Sequence, residues 1–100
     1  MVSYLVFCVF DLKTTDREDY LYLYMDLGDL GLRRVVKAEH GPSFGLPSTA
    51  VMGMRDGASA DEVKSAVGKE VRNIFKTRGF AGKFFVVVGG SDWACIGDVL

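Results

Sequence analysis

Cysteine, histidine and proline are scarce in this 100-residue chain, and each scarcity limits its chemistry or its organisation. The two cysteines, Cys8 inside an apolar run and Cys95 near the end, form neither a disulfide framework nor a metal-ligand spacing. A reducing, cytoplasmic setting is therefore expected. A single histidine, His40, leaves no Ser-His-Asp arrangement that spacing can assemble. Two prolines and no low-complexity run give no linker, so residues 1–90 are expected to form one domain with 91–100 as a tail. No apolar run approaches the roughly 20 residues that a membrane span needs, and no membrane association is expected. The start of the chain has no basic segment or small-residue cleavage site, so its apolar run is expected to be a strand rather than a secretion signal. A surplus of positive charge is also missing. Net charge is −1, which excludes tight nucleic-acid binding driven by bulk charge alone. The distribution is less even: Asp11 to His40 holds seven acids and five bases, Arg55 to Lys83 seven bases and four acids.

What the chain does have is a strong alternation of strand and helix patterns. Val2 to Asp11 reads V-S-Y-L-V-F-C-V-F-D, apolar except for Ser3 until it meets the carboxylate. A strand of that kind is expected to be buried on both faces. Thr15 and Glu18 form a capping-box pattern, and Tyr20, Leu23, Tyr24, Leu27 and Leu30 follow at helical spacing to a C-cap at Gly31. Leu32 to His40 predicts a second, polar strand suited to an edge, and Gly41 to Pro47 a loop. Ser48 to Arg55 predicts a third strand, joined to the second as an antiparallel hairpin. Ser59 with Glu62 opens a second helix whose apolar stripe runs Val63, Val67, Val71, Ile74, Phe75 and stops at Gly79. Lys83 to Val88 predicts the fourth strand, ended by Gly89 and Gly90.

The order β-α-β-β-α-β predicts an α+β, ferredoxin-like sandwich: a four-stranded antiparallel sheet with both helices on one face. The other face is then left open. Because the first and fourth strands are apolar at successive positions, that face should carry Phe7, Val9, Phe85 and Val87 or their neighbours, a patch that needs a cover. A second copy related by a two-fold axis is the expected cover, giving a homodimer. Trp93 and Ile96, beyond the Gly-Gly hinge, suit a tail that docks on a neighbour or adds an edge strand; the alternative is a tail folded back on its own chain.

Asp11 is the sharpest chemical candidate. A carboxylate at the end of a central strand, beside Lys13, can contribute to a magnesium site, above all if a two-fold axis brings a second copy near. It can equally cap a turn or the helix start. The strand ending Phe10-Asp11-Leu12, the capped helix with an early Arg17, the segment Leu30-Gly31-Leu32-Arg33-Arg34-Val35 and the element order together resemble the small ferredoxin-like nuclease superfamily. That group includes the CRISPR spacer-acquisition nuclease-like subunit, virulence-associated ribonuclease toxins and the ribonuclease antitoxin of type V toxin–antitoxin systems. The resemblance spans roughly residues 3 to 88. It implies a dimeric, metal-dependent endoribonuclease in which the Asp11 carboxylates of two subunits face each other and bind the catalytic Mg2+, with Arg17 as a secondary match. The chain departs from the pattern in its slight acidity, its Gly-Pro-rich loop and Phe10, where an aromatic hydroxyl is often found.

Other candidates have equally simple structural explanations. Histidine is the side chain whose ordinary charge change falls near neutral pH, so His40 suits proton transfer beside a phosphodiester, or is a polar loop residue. Arg33, Arg34, Lys37 and Arg55, on the expected hairpin, are the candidate RNA contacts because they are able to flank one another across paired strands. Lys69, Arg72 and Lys76 on the second helix fit phosphate contacts or a solvated face. Of Tyr20, Tyr22 and Tyr24 only Tyr22 is expected to be free of the core. Cys8 is expected to be a small buried hydrophobe. Beside the nuclease stand two alternatives, a non-catalytic interaction or regulatory module that uses the open sheet face, and a small-ligand regulator for which no motif is visible.

Overall fold

The computed structural model of the chain describes residues 2–13, 16–37, 43–90, 92–96 and 98, with Val36 and Lys37 described by their backbone alone. Its elements are β1 (Val2–Leu12), α1 (Arg17–Asp29), β2 (Val35–Lys37), β3 (Ser43–Gly45), β4 (Ala50–Gly57), α2 (Ala60–Arg78) and β5 (Gly82–Gly89). β1 is the middle strand of a three-stranded antiparallel sheet in the order β4-β1-β5. Val6, Cys8, Phe10 and Leu12 are buried on one face, while Leu5, Phe7 and Val9 are half-buried on the other. An antiparallel sheet packed on one face ordinarily alternates apolar and polar residues, so the central position of β1 does not by itself account for the apolar odd positions.

Both helices pack on the Val6 face. α1 contributes Leu23 and Leu27, and α2 contributes Val63, Val67, Val71 and Phe75, at the i, i+4 spacing that puts them on one stripe. At about 25 cal/mol per Å², burying such side chains gives about 2 kcal/mol each, and this layer holds the sheet to its helices. The helix ends follow local rules. Ser59 accepts a bond from the Glu62 N–H at 3.1 Å, as the capping box predicts, and Gly79 closes α2 at φ 70°. At α1 the cap is Asp16, whose carboxylate accepts from the Glu18 N–H at 3.0 Å; Thr15, the expected cap, lies outside the described residues.

The sheet differs from expectation at its fourth strand. Three strands pair, not four, and the predicted strand Leu32 to His40 is reduced to Val35–Lys37. It touches β4 through one antiparallel bridge, Arg33 to Met52, with both bonds at 2.9 Å. Beyond the bridge β2 pairs instead with β3, a strand inside the segment expected to be loop. The reason lies at the start of β4. Continuing the bridge would set Val35 to Lys37 against residues 48 to 50. The Ala50 N–H, however, closes a turn on the Pro47 carbonyl at 3.0 Å, and the Ser48 carbonyl accepts from the Tyr24 hydroxyl. The Arg34 carbonyl meanwhile accepts from the Leu46 N–H at 2.6 Å. The local hairpin takes the bonds that the sheet would have used. Among the described residues no helix is long and apolar enough to cross a membrane.

Candidate functional site

The register of the sheet decides which side chains share its open face. Residues directly opposite in an antiparallel pair point the same way. Phe7 stands opposite Val87 on one side and Met52 on the other, and Val9 stands opposite Phe85 and Ala50. Leu5 pairs with Met54. All lie on the face away from the helices, so the four residues expected to form the patch, Phe7, Val9, Phe85 and Val87, are brought together as two adjacent cross-strand pairs. Phe85 is 64% exposed, Met54 48% and Val87 47%. Leu5 and Met54 extend the patch, while Ala50 and Met52 share the face but are buried. Their place was signalled by the alternation of Ala50, Met52 and Met54, but only the register joins that alternation to β1.

Asp11 lies at the rim of the same face. It is exposed, and its cross-strand partner is Lys83. No group of three His, Cys, Asp or Glu able to hold a metal occurs among the described residues. Asp11 is a single carboxylate facing a lysine across the strands, and a magnesium site needs further oxygen ligands beside it. Arg17 is the first residue of α1 and exposed. His40 lies outside the described residues. Trp93, 40% exposed, belongs to the segment 92–96 that follows the last strand.

The basic residues expected on one hairpin are divided between the two faces. Arg33, opposite Met52, shares the open face. Arg34 turns to the helix side, where its guanidinium lies 4.1 Å from the centre of the Tyr24 ring. Arg55 is also on the helix side. Its guanidinium fork is bonded to Glu70 of α2 at 3.0 and 3.3 Å and donates to the Leu30 carbonyl at 3.2 Å, so it ties β4 to both helices. Lys37 ends β2, opposite Ser43. Arg33 and Arg55 therefore do not flank one another.

The aromatic candidates are engaged in ring contacts, whereas the basic residues of α2 are exposed. Tyr20 accepts from the Leu12 N–H at 3.2 Å, and its ring meets Phe10 and Tyr24. Tyr22 is covered by the guanidinium of Arg78, 4.8 Å from its centre. Arg78 in turn donates to both oxygens of Asp26 at 2.8 and 3.0 Å, and that bond raises its already high pKa. Lys69, Arg72 and Lys76 are exposed along α2. Cys8 is fully buried, and burial pushes its thiol up to about 11, so it has no nucleophilic role at neutral pH.

Shallow clefts lie elsewhere on the surface of the described residues. One of about 330 Å³ is lined by Leu12, Lys13, Asp19, Gly79, Phe80 and Ala81. Another, about 320 Å³, lies between α1 and the chain entering β2, and includes Tyr24, Arg33 and Arg34. Neither includes Asp11. Compared with known proteins, the chain matches no family model and no curated relative.

Proposed function

We propose that the protein is a self-associating interaction module, built on a ferredoxin-like frame whose fourth strand is reduced to one bridge, and that a second copy covers its open sheet face. One observation carries the proposal: Phe7, Val9, Phe85 and Val87 stand as adjacent cross-strand pairs on the face that no helix covers, with Phe85 64% exposed. A contiguous apolar sheet face costs free energy in water and is relieved by burial against a matching one. Phe85 lies outside the core cluster and is largely exposed in the single chain, so Phe85→Lys is expected to separate association from folding. By analytical ultracentrifugation at micromolar concentration the wild type is expected to sediment above the monomer and the variant as monomers or a smaller assembly, with its thermal transition kept. An unchanged distribution for Phe85→Lys would exclude the face as the contact.

A second reading, cleavage of RNA by a metal-dependent endoribonuclease of the toxin–antitoxin type, is favoured by the position of Asp11 at the rim of that same face. A two-fold axis running along the strands would bring a second Asp11 beside the first, and two carboxylates form the hard-oxygen pair that Mg2+ accepts. This reading expects magnesium-dependent RNA cleavage that disappears in Asp11→Ala. Equal cleavage by the variant, or none by the wild type, removes it.

A further inference from the structure

β5 is an edge strand of the sheet, and the phase of the ladder shows which groups its outer edge offers. The Lys13 N–H donates to the Ala81 carbonyl at 2.9 Å. In the register that sets Leu12 opposite Gly82, these two residues form a hydrogen-bonded pair, and such pairs recur at every second position. Lys83, Phe85 and Val87 therefore turn their N–H and C=O groups to β1. The other ladder agrees: the Phe10 N–H donates to the Thr49 carbonyl, so the even residues of β1 serve β4 and the odd ones serve β5. Phe84, Val86 and Val88 consequently point their backbone donors and acceptors away from β1. Among the described residues no strand pairs with that edge. The strand is eight residues long, without proline, and its one charge is Lys83 near the start. Edges of this length are commonly blunted by proline, bulges or several charges, and this one is not.

We propose that β5 pairs with β5 of a second copy, antiparallel about a two-fold axis at Val86. A two-fold perpendicular to the sheet keeps each face on its own side, so only residues of equal parity can oppose. Centred at Val86, the two copies of Val86 exchange both bonds, and Phe84 exchanges both with the second copy's Val88. Phe85 meets Val87 on the open face, extending the apolar patch, and Lys83 meets Gly89, so no like charges are opposed. Centring on Phe85 instead would set Lys83 against Val87 inside the patch.

The size of the open face also calls for this second copy, an argument that rests on the face being buried as proposed above. Three strands about 4.8 Å apart, paired over eight residues of about 3.3 Å, give a footprint of roughly 400 Å². Even with the relief of its side chains that is small beside the ~800 Å² per partner of a standard interface. Joining two chains through β5 doubles the face to a six-stranded layer. Two such layers stacked on their apolar faces form a tetramer with three perpendicular two-fold axes.

Amide hydrogen exchange by NMR on the wild type tests the edge without any mutation. The amides of Phe84, Val86 and Val88 are expected to be protected as strongly as those of Phe85 and Val87. Fast exchange at the three even positions, with the odd ones protected, overturns the proposal. Val86→Pro provides the second test, because it removes an N–H that the chain's own ladder does not use. Light scattering is expected to show the mass of this variant halved. An unchanged mass overturns the edge contact. The two contacts fail separately. If Phe85→Lys leaves the mass unchanged while the even amides are protected, the face is excluded and the edge stands; if Phe85→Lys reduces the mass while the even amides exchange freely, the face stands and the edge is excluded.

Discussion

At Gly53 the backbone of β4 passes so close to the C-terminal turn of α1 that a Cβ would run into the Gly31 carbonyl. Both partners are backbone, and neither can rotate away. Gly53→Ala is expected to destabilise the fold by about 2 to 4 kcal/mol, measured as a shift of the urea midpoint, because relief requires moving a helix end from a strand. A change below about 0.5 kcal/mol would mean that the approach is not enforced. Cys8 makes a second prediction. Its thiol is raised from 9.0 to about 11 by burial, so the folded state favours the neutral form. The protein is therefore expected to hold its stability below pH 9 and to lose it progressively as pH rises from 9 through about 11. In the native state at pH 8 only Cys95, which is exposed, should react with a thiol reagent, whereas urea should release both. Rapid reaction of two thiols in the native protein would contradict the burial of Cys8. This much of Cys8 was legible in the sequence, because a cysteine between Phe7 and Val9 in an unbroken apolar run has no polar opening. The close approach at Gly53 was not, since a glycine in a strand gives no sign of what lies above it.

Among the elements, the helices were the most legible, because their signals are local. Ser59 and Glu62 specify the start of α2 within one turn, and Ser59→Ala is expected to cost about 1 kcal/mol in chemical denaturation. α1 begins one residue later than expected because Asp16 is as good a cap as Thr15. The fourth strand was not legible. Whether Val35 to Lys37 joins β4 or folds on Ser43 to Gly45 depends on the turn at Pro47 and on the hydroxyl of Tyr24 in α1, neither of which shows in the apolar pattern of the residues being paired. Nor did the sequence disclose that Arg55 reaches across to Glu70. That pair is part-exposed, so a double-mutant cycle on Arg55→Ala and Glu70→Ala should return a coupling of only about 0.5 to 1 kcal/mol, weakening with salt. A coupling near zero would mean that Arg55 acts through the Leu30 carbonyl instead.

For the whole molecule, composition raises the question of what covers the sheet, and the register shows which residues a cover would meet. Two strands apolar at both parities imply a sheet covered on both sides, and the helices of one chain cover only one. Which parity faces outward was left open, and the cross-strand pairs of Phe7 with Val87 and Val9 with Phe85 resolve it. The candidate RNA surface fared differently, because Arg33, Arg34 and Arg55 are separated by the alternation of the strand, two to the helix side and one to the open face. Everything assigned to the open face depends on a second copy, including any role for Asp11. Multi-angle light scattering of the wild type over a dilution series tests this most directly. The account predicts a mass that is a multiple of 11.0 kDa at micromolar concentration and falls on dilution. A constant 11.0 kDa throughout would contradict it.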